Sequence, residues 1–184
     1  MSSGLEVLAE GVLNNNLILL QGLGLYVLTR YTTTVQTAAK AGVAMLATMI
    51  TASVGAWAVI ALTPSMYGLE TPFFLLIALL SSLLWHRALA TTHWLPGFDG
   101  SLTASLLDSA LVGVLLLMHQ AGIAGPATVG YGFSAALGYG VVLLIMAGIR
   151  ERLALSPIPK PLQGAPILLI AAGLFALGLM GFRF

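Results

Sequence analysis

Six apolar stretches, each close to the length needed to cross a bilayer, fill almost the whole chain and leave it few other ways to fold. A helix needs about 20 predominantly apolar residues to span the hydrocarbon core. Such stretches run over about 7–29, 38–63, 72–91, 102–121, 127–149 and 164–182. The breaks between them are Arg30 to Lys40, Thr63-Pro64 to Thr71-Pro72, His93 to Gly100, the short turn Gly122 to Pro126, and Arg150 to Pro161. Only 7% of the 184 residues are charged and 59% are hydrophobic, whereas soluble domains carry roughly 25% charged residues. So few charges cannot cover a water-facing surface. The chain is therefore expected to be an all-α integral membrane protein, a single membrane domain (1–184) with six transmembrane helices.

Orientation follows from where Lys and Arg fall, because the cytoplasmic side of a membrane protein is enriched in them. The breaks after the first, third and fifth stretches hold Arg30, Lys40, Arg87, Arg150, Arg152 and Lys160, and the other side holds only Arg183. Both termini are expected outside, on the periplasmic side of an inner membrane. The segment MSSGLEVLAEG carries Glu6 and Glu10 in place of a basic leader, so no cleaved signal peptide is expected. A net charge of +1, without basic clusters among aromatics, argues against nucleic acid and leaves the lipid bilayer as first partner. Absence of cysteine excludes disulfides, thiolate metal sites and thiol catalysis within the chain. His86, His93 and His119 lie near stretch ends without metal-ligand spacing. Trp85 and Trp94 stand beside the first two, as interfacial anchors do.

Three stretches plus three give halves of opposite topology, about 1–93 and 100–184, the arithmetic of an inverted repeat. Each half opens with a polar patch inside an apolar stretch: Asn14-Asn15-Asn16 in the first and Asp108-Ser109 in the fourth. In such folds the helices carrying the site are often broken near the midplane, and Gly22 and Gly24 can supply a break. Asp108 is the only acid well inside a stretch, where an ionised carboxylate is costly unless paired or hydrated. Two readings stand side by side: an ion or proton site, or a helix–helix hydrogen bond to which the asparagines contribute. Small residues crowd the fifth stretch at Gly130, Gly132, Ser134, Ala135, Ala136, Gly138 and Gly140. They permit close approach of another helix or subunit. Gly132 and Gly138 are candidate partner contacts. So are Arg150 and Arg152, which read equally as a topology anchor.

The wording of these segments is also specific. LNNNLILLQGLGLY (Leu13–Tyr26), Thr51-Ala52-Ser53 with Ala56-Trp57, and the run from Tyr131 to Gly164 continuing to Met180-Gly181-Phe182 resemble the RnfA/NqrE family. Those proteins are membrane subunits of Rnf and Nqr ion-translocating electron-transfer complexes. The resemblance implies a homologous six-helix sister subunit (RnfE or NqrD) as partner, or a second copy of this chain, with further membrane subunits. It also implies two cysteines, one after Leu-Gly-Leu and one in an Asn-Cys-Ala context, sharing an intramembrane iron–sulfur centre with the sister subunit. Here those positions are Tyr26 and Ser109, and Ser81-Ser82 stands where the family carries a Gln/Glu pair. No cofactor is therefore expected in this chain, because phenol and hydroxyl replace thiolates poorly. Three functions remain open: a structural or ion-path subunit of such a complex, a small inverted-repeat transporter or channel, and an assembly subunit of another membrane complex. No nucleophile–base pair or phosphate loop suggests an enzyme acting alone.

Overall fold

Helices in this chain begin and end where a residue favours the change. The structure, a computed structural model, describes residues 16–62, 70–91, 108–123 and 125–181. Asn14, Asn15, His93 and Trp94 lie outside them. The described residues form six α-helices: α1 (Leu25–Tyr31), α2 (Val35–Leu62), α3 (Glu70–Thr91), α4 (Ser109–Gln120), α5 (Ala127–Ala154) and α6 (Ala165–Met180). A 3-10 turn, Lys160–Leu162, precedes α6. Asp108 caps α4, and Pro166 lies in the first turn of α6 after Gly164, whose φ is 88°. Gly122 leaves α4 with φ 64° and Gly125 leads into α5 with φ 71°.

Among the described residues, three helices have the length and apolarity to cross a membrane: α2, α3 over Thr71–Leu89, and α5. α4 and α6 are apolar but shorter. The first expected stretch is not one helix in its described part. Residues 16–24 form turns, with Gly22 at φ 67° and Gly24 at φ 84°, and the helix starts only at Leu25. The expected breaks are also shorter. α1 and α2 are joined by Thr32–Thr34 alone, so Lys40 lies in α2. α5 continues through Arg150-Glu151-Arg152 to Ala154, because these are strong helix formers and nothing interrupts them before Ser156-Pro157.

α2 and α5 form the central pair, the most extensive contact in the molecule. Gly42 faces Gly140, and Ser53 faces Gly132, so the two helices run antiparallel. Their buried faces are alanine-rich, with Ala38, Ala41, Ala44, Ala52 and Ala56 on α2 and Ala135, Ala136 and Ala147 on α5. Small side chains let the backbones approach closely, which is how helices gain packing energy in lipid. α3 and α4 pack on this pair, and the Trp85 indole N–H donates to Thr51 Oγ1 at 3.1 Å. α6 rests on α5 through Leu168 and Ala172 and leaves Leu174 and Leu177 about two-thirds exposed (65% and 66%). Exposed leucine on that scale suits hydrocarbon rather than water.

Candidate functional site, a polar seam at two helix starts

The polar residues singled out in the sequence meet where α1 and α4 begin. Asn16 is almost fully buried. Its Oδ1 accepts from the backbone N–H groups of Ile18 and Leu19, both at 3.2 Å. Its Nδ2 donates to the Gly138 carbonyl of α5 at 3.3 Å. One amide thus folds the turn at 16–19 and fastens it to α5. Leu17 and Ile18 are buried beside it, and Leu23 rests on Gly113 of α4.

Asp108 is 8% exposed and extended (φ −86°, ψ 156°) before α4. Its Oδ1 accepts from Ser109 N at 2.8 Å and Ser109 Oγ at 3.4 Å, and its Oδ2 accepts from the Tyr139 hydroxyl at 3.1 Å. Ser109 Oγ in turn accepts from Gly24 N at 3.0 Å. The start of α1 is thereby hydrogen-bonded to the start of α4, and α4 to the middle of α5. Gly24 has to be glycine. Its φ is positive, and a Cβ there would lie 2.6 Å from Tyr139 Cε2, 2.8 Å from its hydroxyl and 3.0 Å from Asp108 Oδ2. Substituting Ala at Gly24 should cost about 1–2 kcal/mol from the backbone alone, with a larger loss of melting temperature in detergent than Gly22→Ala. At Gly22 the added Cβ meets nothing.

Every hydrogen bond described at the Asp108 carboxylate comes from a neutral donor, and the start of α4 adds its positive dipole end. Such a cradle suits a carboxylate that ties helices together. A cation would need several converging oxygen ligands. Among the described residues, every buried side-chain nitrogen and oxygen has a partner.

Asp108 and Ser109 therefore belong to one cluster with Gly24, and Asn16 is fastened separately to α5 at the neighbouring Gly138 carbonyl. Tyr139 completes the cluster. A phenol in the middle of an apolar stretch needs an acceptor, and that was the available signal for pairing it with the one intramembrane acid. Tyr26 stands half exposed (51%) in the first turn of α1, and Ser109 reaches this segment through the Gly24 backbone. Gly132 and Gly138 are buried within the chain, the first against Ser53 and the second with its carbonyl on Asn16. The small-residue face read as a partner surface is, at these two positions, filled by this chain's own segments. Ser81 and Ser82 donate to the Ala78 and Leu79 carbonyls one turn back.

Arg150 and Glu151 secure the turn between α1 and α2. Arg150 Nη1 donates to the Thr29 carbonyl at 2.7 Å and to Thr32 Oγ1 at 3.3 Å, at the C-terminal end of α1. Glu151 Oε1 accepts from Val35 N at 3.0 Å, at the N-terminal end of α2. Each charge meets the helix end whose dipole it complements. Arg152 is exposed. Exchanging Arg150 for Met should destabilise the fold by about 1 kcal/mol or more, and Glu151→Gln by less than about 1 kcal/mol. Amide hydrogen exchange across Leu28–Val35 is the readout, and protection unchanged in Arg150→Met would refute the assignment.

The family described as "Rnf-Nqr subunit, membrane protein" matches residues 4–184. Similar proteins are named as subunits of an ion-translocating oxidoreductase complex. The one from Edwardsiella ictaluri (strain 93-146) is 36% identical over 187 residues, covering 99% of this chain and 97% of its own. That from Vibrio atlanticus (strain LGP32) is 33% identical over 189 residues, again 99% and 97%. That from Actinobacillus pleuropneumoniae serotype 5b (strain L20) is 36% identical over 175 residues, covering 91% of this chain and 90% of its own. With a match spanning nearly every residue, the protein belongs to the Rnf-Nqr subunit family of membrane proteins.

Proposed function

We propose that this chain is a membrane subunit of an ion-translocating electron-transfer complex of the Rnf/Nqr type, with a structural or ion-path role. The observation that carries the reading is the end-to-end alignment with proteins named as subunits of an ion-translocating oxidoreductase complex. We place the chain in the inner membrane with both termini periplasmic, as the Lys and Arg distribution supports. Six spans arranged as two inverted halves are supported by helices that start after Gly24 and after Asp108, each inside the first stretch of its half. A sister six-helix subunit, or a second copy of this chain, is the expected neighbour, and exposed Arg152 is a candidate contact with it.

The residues present do not fit the family's intramembrane iron–sulfur centre. Such clusters need thiolates, and this chain offers the Tyr26 phenol and a Ser109 hydroxyl already engaged by Gly24 N. We therefore assign the chain no iron–sulfur ligands. The competing reading, a small transporter using Asp108 and Asn16 as its polar site, draws on their burial. It is weakened because the described partners of the carboxylate, Ser109 and Tyr139, tie it to the chain's own helices.

Purification in mild detergent, with mass spectrometry of the partners and optical and EPR spectra of the same sample, tests the proposal. Redox-cofactor-bearing partners of the Rnf/Nqr kind are expected. A colourless sample holding this chain alone would overturn it. Ion flux through liposomes of the isolated chain, abolished by Asp108→Asn, would establish the transporter instead.

A further inference from the structure

A cavity of about 320 Å³ opens between the end of α5, the 155–164 connection and the start of α6. Its polar lining comes from Arg150, Ser156 and Gln163, and its apolar walls from Leu153, Ile167 and Leu168. One basic group and two neutral polar groups thus stand beside a hydrocarbon-lined wall. Among the described residues no carboxylate lines it, and the Glu151 carboxylate accepts from Val35 N at the start of α2. The hydrogen bonds of Arg150 use its Nη1 group, and a guanidinium carries further N–H donors on Nη2 and Nε.

The depth of the cavity in the bilayer follows from helix length. α5 has 28 residues, or about 42 Å at 1.5 Å per residue, against about 30 Å of hydrocarbon. Its last two turns, which carry Arg150 and Arg152, thus reach headgroup level. Exposed Arg152 borders the adjoining groove with Ile145 and Ile149, and exposed Lys160 lies on the connection itself. Apolar α6 descends from this level with one side uncovered, including Leu169 and Ile170.

We propose that this cavity is a binding site for an anionic phospholipid. The phosphate is held by Arg150 and by the Gln163 Nε2 hydrogen not given to the Ile158 carbonyl, and the acyl chains lie along Ile167 and Leu168. Basic pockets between transmembrane helices recognise such headgroups by charge, and the planar guanidinium matches phosphate oxygens in pairs. A zwitterionic lipid would bring a compensating ammonium group into the same basic corner and bind less well.

Native mass spectrometry of the full-length protein with added phosphatidylglycerol or phosphatidylcholine of identical acyl chains tests this. The anionic lipid is expected to bind about fivefold more tightly, the worth of one basic residue at the interface. Arg150→Gln should abolish that preference. Because Arg150 also fastens α1, the second variant is Ile167→Trp, which fills the apolar wall and leaves that fastening intact. It should remove the bound lipid while the melting temperature stays unchanged. Equal binding of the two lipids, or full retention of the preference in Ile167→Trp, would overturn the proposal. So would displacement by millimolar inorganic phosphate, which would make the cavity a site for the free anion.

Discussion

Asp108→Leu is expected to destabilise the protein by about 2–4 kcal/mol, combining loss of a helix cap with a buried phenol left without its acceptor. Tyr139→Phe should cost much less, about 0.5–1 kcal/mol, as hydrogen bonds between membrane helices generally do. The Asp108 carboxylate then still accepts from Ser109 N and Ser109 Oγ. The double variant is the decisive sample. With both substitutions combined, no phenol remains to satisfy, so the double variant should be more stable than Asp108→Leu alone by about 1 kcal/mol. Thermal unfolding of all four proteins in one detergent gives the cycle. Strict additivity would mean that the Tyr139–Asp108 hydrogen bond does not couple α5 to α4. A more stable Asp108→Leu would mean that the acid is kept for function at the expense of stability, and would revive an ion site at this position.

The second large effect is expected at Gly132. An alanine Cβ there would stand 2.7 Å from Ser53 Cβ, closer than real Cβ contacts, and would collide with Ser53 Oγ. Overpacking of this kind typically costs about 1–3 kcal/mol. The neighbour that must give way is known, so Ser53→Gly should restore most of the loss. Ser53 itself gives up only a local bond to the Met49 carbonyl. Gly148 supplies the control on the same helix, since a Cβ there meets nothing. If Gly132→Ala and Gly148→Ala unfold at the same temperature, α2 and α5 do not cross at Ser53. If Gly132→Ala keeps its stability but releases partner subunits from the complex, the glycine face serves assembly instead.

Much of this architecture is legible in the residues. The helical segments at 35–62, 70–91, 127–154 and 165–180 each overlap an expected stretch, because hydropathy and the proline and glycine punctuation point the same way. The asparagines are expected beside Asp108, but Asn16 bonds its own turn and the Gly138 carbonyl, and the partner of Asp108 across the fold is Tyr139. Three further features are not legible. Hydropathy reports removal from water and says nothing of helix continuity: Gly22 and Gly24 mark the expected break, but nothing in the residues shows that 16–21 are turns as well. Charge reads as an exit from the bilayer, yet Arg150-Glu151-Arg152 continue α5, because a helix longer than the hydrocarbon simply projects beyond it. Small residues announce a close approach without naming the neighbour. At Gly132 and Gly140 the neighbour is α2 of the same chain, and at Gly138 it is the Asn16 side chain.

The fastening of α1 and α2 by Arg150 and Glu151 bears on how the molecule can move. Both ends of the Thr32–Thr34 turn are held by consecutive residues of α5, and α5 is already locked to α2 along most of its length. α1, α2 and α5 therefore travel as one rigid body, and no lever action can pass through the turn that joins the first two. A rearrangement of the helices hinges most easily where the backbone carries positive φ and an added side chain would meet no neighbour. Gly22, Gly122, Gly125 and Gly164 are such joints. α4 is tied to α1 through Ser109 and to α5 through Asp108 and Tyr139. By contrast, α6 follows Gly164 and rests chiefly on α5 among the described α-helices. Movement of α6 against a fixed α2–α5 frame is therefore the motion this fold permits most readily.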